Sequence, residues 1–387
     1  MQETTDYPLL SDVRKSLRVK WYRCPIETST LHDLLKRSDL QGFVQAGGHL
    51  CLWLLTGVLV YLCWFHQAWL LFVVALFLHG TVSTFFVGTA AHELGHGTVF
   101  KTPILNRLFL YLFSLIGWWD PFDYAASHTY HHRYTLHPDG DRENLLPLTP
   151  DTSKGFLLQM CTFNLFTQKD RSFGKGGFFS TIIATVNGAL GKTGSPDVPS
   201  NEWLIALHHD QPEEFRNSIL WSRLLLVFHA SIVVLSLVTG YWVFILIISL
   251  AAFTANLLSY LLGTTQHAGL QDNVSDFRKC TRSIVINPVF EFLYWQMNWH
   301  IEHHMYAGVP CYNLKKLHLA VRDDMPEPRS LRNAWKEMID TRDRQQINPA
   351  YYFDTPLPDP KAAADLATTA DELLESIGEL APPGLRG

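Results

Sequence analysis

The sequence predicts an all-α integral membrane protein: two transmembrane helical hairpins, four spans in all, with a helical cytoplasmic domain and helices lying at the interface. Three observations carry this. Only 17% of the 387 residues are charged, against 47% hydrophobic and 13% aromatic, too few charges for an ordinary soluble enzyme of this length. No Asp, Glu, Lys or Arg stands between Asp39 and Glu93, and none between Arg223 and Asp272. Each gap holds two spans, since one span needs about 20 apolar residues at roughly 1.5 Å per residue. A run so free of charge on every face is what lipid selects, in contrast to the one-sided pattern of a buried soluble hairpin.

The elements follow in order. Residues 1–39 are polar and mixed in charge and read as a cytoplasmic N-terminal segment. With no pattern of a cleavable signal peptide, the first span is expected to insert as an uncleaved anchor. The first gap divides near His66 and Gln67, giving spans near 43–65 and 68–91. In "RLFLYLFSLIGWWDPF" the charge-free run from Leu108 to Trp119 is too short to cross, and its aromatic end suits a helix at the interface. The second gap divides near Thr239 and Gly240, giving spans near 219–238 and 241–263. A second half-apolar piece, "SIVINPVFEFLYWQMNWHIEHH", is read in the same way. Residues 40–345 thus form one membrane domain, and 346–387, rich in Ala, Pro and acid towards its end, reads as a mobile tail or a short surface helix.

Orientation comes from the basic residues. All 31 Lys and Arg lie outside the buried stretches or at their same-side ends, and the hairpin tips carry none. By the positive-inside rule both termini and the long middle segment are cytoplasmic. The six cysteines, Cys24, Cys51, Cys63, Cys161, Cys280 and Cys311, include no CxxC and are read as reduced packing residues.

Eight of the 18 histidines fall into three clusters: His92 and His96 in "HELGH"; His128, His131 and His132 in "HTYHH"; His300, His303 and His304 in "HIEHH". On a helix, positions i, i+3 and i+4 share a face, so each cluster aims its imidazoles one way. His92 and His96 continue the second span past its cytoplasmic end, and the charge pattern puts the other clusters on that side too. His267, in "GTTQHAG", follows the fourth span to the same face. One tetrahedral zinc takes three protein ligands in a catalytic site and leaves most of these residues without a task. Eight or nine imidazoles fill the first shells of two metal ions, and neutral imidazole suits iron.

HELGH also matches the zinc site of a metalloprotease with Glu93 as base. An intramembrane protease needs a third ligand, usually a carboxylate from a distant span, and both hairpins lack Asp and Glu. A soluble-type di-iron carboxylate bundle needs two Glu-x-x-His pairs; Glu93 with His96 supplies one, and no second exists.

With "HELGH", "HTYHH" and "HIEHH" in this order, the chain resembles the membrane fatty acid desaturase and hydroxylase superfamily. That group carries three histidine boxes around a di-iron centre. The resemblance runs from the first span to about Leu317; "NWHIEHHMYAGVPCYNL" is similar to the third-box neighbourhood of acyl-lipid desaturases and carotenoid ketolases, and "WWDPFDYAASHTYHHRYT" to the second-box approach. It implies that the eight box histidines are iron ligands and that His267 is the extra histidine before the third box. The implied activity is O2-dependent oxidation at an unactivated C–H pair, foremost desaturation of an acyl chain of a bilayer lipid. The alternatives are a hydroxylase or ketolase of a lipid, carotenoid or smaller metabolite and, remotely, the zinc protease. Acyl-CoA desaturases usually space the first box HxxxxH and place an asparagine four residues before the extra histidine. Here the spacing is HxxxH and Gly263 stands at that place, which leans towards acyl-lipid substrates.

No flavin or nicotinamide fingerprint is present, so electrons are expected from a separate protein, a ferredoxin or cytochrome b5 type. No nucleic-acid partner is expected. Arg278, Lys279, Arg282, Lys315 and Lys316 form a candidate docking patch for the donor, with lipid head-group contact as the alternative. Glu93, Glu302, Asp139, Asp141, Asp272 and Asn273 are candidates to orient imidazoles from behind. "HPDGD", residues 137–141, reads as a helix-ending loop. His79, in mid-span, lies roughly 20 Å from His92 along a helix; it either lines a substrate passage or, the preferred reading, bonds a neighbouring span.

Overall fold

The computed structural model describes residues 8–167, 176–194 and 199–358. It is mostly helical, and three helices are long and apolar enough to cross a membrane: Asp39–Phe65, Trp69–Gly95 and Pro212–Thr239. They contain the predicted spans near 43–65, 68–91 and 219–238, each extended at its polar end. The third opens with Pro212 at its first position and Glu213 and Glu214 in its first turn, and Gly240 closes it at φ 79°; this is the order of proline, acid and left-handed glycine that helix ends favour. Lipid-type side chains ring the outside: Leu70 and Val238 are each 80% exposed, among many other bare Leu and Val residues on these helices. So much exposed apolar surface on crossing-length helices marks a membrane protein.

The predicted fourth span, 241–263, departs from a continuous helix. It runs through a π-turn at Ile245–Ser249 and a 3-10 turn at Ala251–Phe253, then through extended Thr254 to the helix Leu257–Gly263. Ala255 takes φ 51°. The freed backbone groups are met by the loop at 162–164: Asn164 N donates to Phe253 O at 2.7 Å, and Ala255 N to Thr162 O at 2.8 Å. Irregular backbone at membrane depth survives only where protein satisfies it in this way. Apolar composition cannot reveal such a break, because every residue in it is one that a lipid-facing helix would also carry.

Gly80, on the second span, lets the break approach. A Cβ there would lie 2.5 Å from the Thr254 carbonyl oxygen, and backbone has nowhere to retreat. Gly80→Ala is expected to destabilise the fold by about 1–3 kcal/mol, read as a lower thermal midpoint in detergent.

Polar side chains inside the bundle tie the helices together. His79 accepts or donates at both nitrogens, with Thr56 Oγ1 at 2.9 Å and Ile247 O at 2.9 Å. It bonds neighbouring segments, as preferred. Trp295 Nε1 donates to His49 Nδ1 at 3.0 Å, so His49 Nε2–H faces Val82 O at 3.0 Å. That chain joins the first two spans to the segment before the third cluster.

The piece Pro103–Gly117 is one helix, buried along Phe109, Leu110, Phe113 and Ile116 and bare at Ile104 and Leu108. The second predicted interfacial piece differs. Residues 284–305 form a two-residue strand paired parallel with Arg329–Ser330, the short helix Pro288–Leu293, and the helix His300–Met305. Tyr294, Trp295, Met297 and Trp299 are buried, so the aromatic run that suggested a membrane surface fills the core. The six cysteines are free. The expected tail is packed at its start: Phe353 N donates to Gly269 O at 2.8 Å. Residues 359–387 lie outside the described residues.

Candidate metal centre

Each histidine is aimed by a local device in the sequence. The second span breaks at Val87 (ψ 154°) and Gly88 (φ 73°) and restarts as Ala91–Gly95. That glycine resets the direction of the turn bearing His92 and His96. The helix Pro121–Tyr134 begins where Asp120 caps Phe122 N at 2.9 Å and Asp123 N at 3.1 Å, with Pro121 at its first position. Asp120 also accepts from Ser218 Oγ at 2.6 Å, which fixes this helix to the third span. Burial pushes the Asp120 carboxyl up to about 7.

All nine predicted residues come together, in two sets. His92, His96, His128, His132 and His303 form one, and His131, His267, His300 and His304 the other, with the ligand atoms of each set within 4.8 Å of one another. The division follows helix geometry. His128 and His132 are four apart and face the first set, and His131 between them faces the second. His300 and His304 are four apart and face the second, while His303 faces the first. The second and third clusters therefore each serve both sets.

The nitrogens facing inwards are bare. His267 Nδ1 lies 2.9 Å from the Cys280 carbonyl oxygen, which can only accept, so Nδ1 carries the hydrogen and Nε2 is a lone pair. That Nε2 sits 3.0 Å from His300 Nε2, and His300 Nε2 sits 3.1 Å from His304 Nε2. In the first set, His303 Nε2 is 3.2 Å from His132 Nε2. Among the described residues the Nε2 atoms of His92, His96 and His128 are buried without a partner. Burial also holds the imidazoles of His96, His128, His132, His267, His300, His303 and His304 below their ordinary range, and thus neutral. Lone pairs crowded face to face repel unless a cation stands between them. Nine imidazoles in two adjoining sets, seven of them held neutral, therefore fit two metal ions of imidazole-binding character, with more ligands than one tetrahedral zinc can use.

Acceptors behind the rings fix their orientation. Glu93 Oε1 is hydrogen-bonded to His92 Nδ1 at 3.1 Å and lies 3.2 Å from His303 Nδ1 without a hydrogen bond to it. Asp141 Oδ2 meets His131 Nδ1 at 2.9 Å and Leu136 N at 2.9 Å. Thr135 Oγ1 is 3.1 Å from His304 Nδ1. Glu143, which the sequence reading missed, meets His128 Nδ1 at 3.1 Å and takes Ser127 Oγ at 2.8 Å. Burial pushes its carboxyl up to about 7. The signal for it was the HPDGD turn: a chain reversing there carries the next acids back onto the helix it has just left. Among the described residues Glu302, Asp139, Asp272 and Asn273 bond no box histidine. Glu302 instead takes Ser283 Oγ at 2.6 Å and His318 Nδ1 at 2.5 Å.

The docking patch needs correction. Arg278 is buried between Asp276 and Asp324, and Arg282 is buried against Glu337, so neither presents a free charge. Basic letters in sequence do not distinguish a surface cation from one consumed inside.

A cavity of about 810 Å³ touches both sets, at His92 and His128 on one side and His131, His267 and His300 on the other. It extends past Val87 and Met297 to the broken fourth segment and Tyr260.

The family model for fatty acid desaturases matches residues 67–335. The chain belongs to the fatty acid desaturase family. The match covers all nine histidines, and the family implies an oxidoreductase whose buried histidine clusters are capable of binding metal. No curated protein matches the chain.

Proposed function

We propose that this desaturase-family protein is a multi-pass membrane oxidase that binds two iron ions and uses O2 to desaturate an acyl chain of a lipid. His92, His96, His128, His132 and His303 would hold one iron, and His131, His267, His300 and His304 the other. Bound iron supplies the activation of O2 and the removal of hydrogen from an unactivated C–H bond. The observation that carries this reading is the two adjoining sets of bare Nε2 atoms opening on one cavity. The chain's own part is positional: Glu93, Asp141, Glu143 and the Cys280 carbonyl hold the Nδ1 hydrogens outward, and the buried walls keep bulk water from the reacting carbon.

The membrane domain, 40–345, would cross as two hairpins with its fourth segment broken. The termini and the metal centre would lie on the cytoplasmic side. The absence of basic residues at both hairpin tips supports this orientation. Electrons would come from a separate ferredoxin or cytochrome b5-type protein.

Metal analysis of the purified protein is the first test: two irons per chain are expected, and a single zinc per chain would replace the oxidase with the protease reading. Lipids from an expressing host should gain a double bond; a gained hydroxyl would overturn desaturation while leaving the metal centre intact. Glu143→Ala removes the acceptor behind His128. Iron is then expected to pass to a competing chelator about 10–100-fold more readily, the usual size of such an effect.

A further inference from the structure

Inside the cavity wall, where the second span meets the broken fourth segment, three uncharged polar side chains form a directed chain. Asn256 Nδ2 donates to Ala252 O at 3.0 Å and to Thr84 Oγ1 at 2.8 Å. Thr84 Oγ1 lies 2.9 Å from Ser259 Oγ, and Ser259 Oγ donates to Asn256 O at 2.9 Å. The accounting then has one solution. The Ser259 hydrogen goes to Asn256 O, so Thr84 must donate to Ser259, and both amide hydrogens of Asn256 are engaged. Every donor is used. What is left over is an acceptor, Asn256 Oδ1, buried and without a partner, on a residue that is 7% exposed.

The amide orientation is fixed by the Ala252 carbonyl, which can face only the NH2 end. Thr84, Asn256 and Ser259 all line the cavity. They stand in otherwise apolar, charge-free segments, where polar side chains are expensive and mark function. The break in the fourth segment is also what brings them there: an unbroken helix would carry no extended Thr254 and no left-handed Ala255 ahead of Asn256. Broken backbone at membrane depth belongs where it lines a cavity.

We propose that Asn256, held by Thr84 and Ser259, determines substrate specificity by accepting a hydrogen bond from a hydroxyl or N–H group on the substrate. The chamber then takes an aliphatic molecule carrying such a donor and discriminates against an unsubstituted acyl chain. This rests on the reading of the cavity as the substrate chamber of an iron oxidase, and it narrows the substrate from any acyl lipid to a donor-bearing one.

The test uses iron-loaded, full-length protein in detergent. Its probes are radiolabelled methyl stearate and mono-hydroxylated methyl stearates with the hydroxyl near the ester, at mid-chain or near the methyl end. Wild type is expected to retain at least one hydroxy ester on the order of 10-fold more tightly than methyl stearate, the worth of one buried hydrogen bond. Asn256→Leu should abolish that preference. Equal retention of all probes by wild type, no retention of any, or a preference that survives Asn256→Leu would each overturn the proposal; the polar chain would then be glue between spans. The wild-type comparison needs no variant, so a misfolded Asn256→Leu does not shelter the idea. Iron content, measured on the same samples, keeps the readings apart: two irons per chain without probe preference sinks only the specificity claim, and missing iron sinks the oxidase.

Discussion

His131→Ala is expected to abolish substrate oxidation and to lower the iron content from two per chain towards one, with the protein still inserted in the membrane. His131 belongs to the smaller set, in which His267, His300 and His304 are its fellows among the described residues. Three imidazoles hold an ion less tightly than four, whereas the larger set has a ligand to spare. The loss is compounded from behind, since Asp141 grips both His131 Nδ1 and Leu136 N; without the ring, a buried carboxylate is left with only the backbone amides of Leu136 and Glu143. Asp141 and Glu143 also oppose the fall that burial alone would impose on the His131 imidazole, so that it stands above its ordinary range, unlike its neighbours outside the spans. The matching variant in the larger set, His96→Ala, leaves four ligands and should retain more iron than His131→Ala. Equal iron in the two variants, or retained turnover in the first, would contradict the division into two sets. Element analysis and product formation on the same preparations check both points.

The clusters could be read from the sequence because the metal site is encoded locally. Residues four apart on a helix must share a face, and the charge-free runs give the expectation that the clusters meet at one end of the apolar helices. That logic singled out all nine histidines that the fold brings together, including His267, whose distance from the boxes in sequence carries no signal except through topology. The partition into two sets was harder, because it depends on how the helices Pro121–Tyr134 and His300–Met305 are rotated against each other. The supporting acceptors were legible only where they are local: Glu93 beside His92, and Asp141 just beyond the turn. Cys280, whose carbonyl orients His267, offers a backbone atom that any residue would offer, so no letter marks it. The break at Thr254 was invisible for a related reason. It is stabilised by the backbone of a loop some ninety residues earlier, and hydropathy registers side chains alone.

Arg282 exposes the same limit with a larger energy attached. In sequence it is one of five basic residues suited to an acidic partner. In the fold its guanidinium donates to Thr265 O at 2.6 Å and Ala268 O at 3.1 Å, the carbonyls on either side of His267, and to Glu337 at 2.8 Å. Glu337 is itself buried, with Arg329 as its other cation at 3.2 Å. Arg282→Ala therefore strands two carbonyls and half the neutralisation of a carboxylate. It is expected to destabilise the protein by about 3–5 kcal/mol, the range for breaking a buried pair from one side. Because the lost bonds hold the turn that presents His267, iron should be lost from the smaller set before the fold melts. Lys279→Ala makes the contrast: its pair with Asp354 is solvent-exposed, and its removal should change stability by no more than about 1 kcal/mol. Thermal inactivation followed by size-exclusion chromatography, with iron assayed along the ramp, separates the possibilities. If Arg282 served to dock an electron donor, its replacement would slow reduction and leave melting and iron unchanged; if it braces the turn at His267, iron release and melting both move to lower temperature whether or not a donor is present.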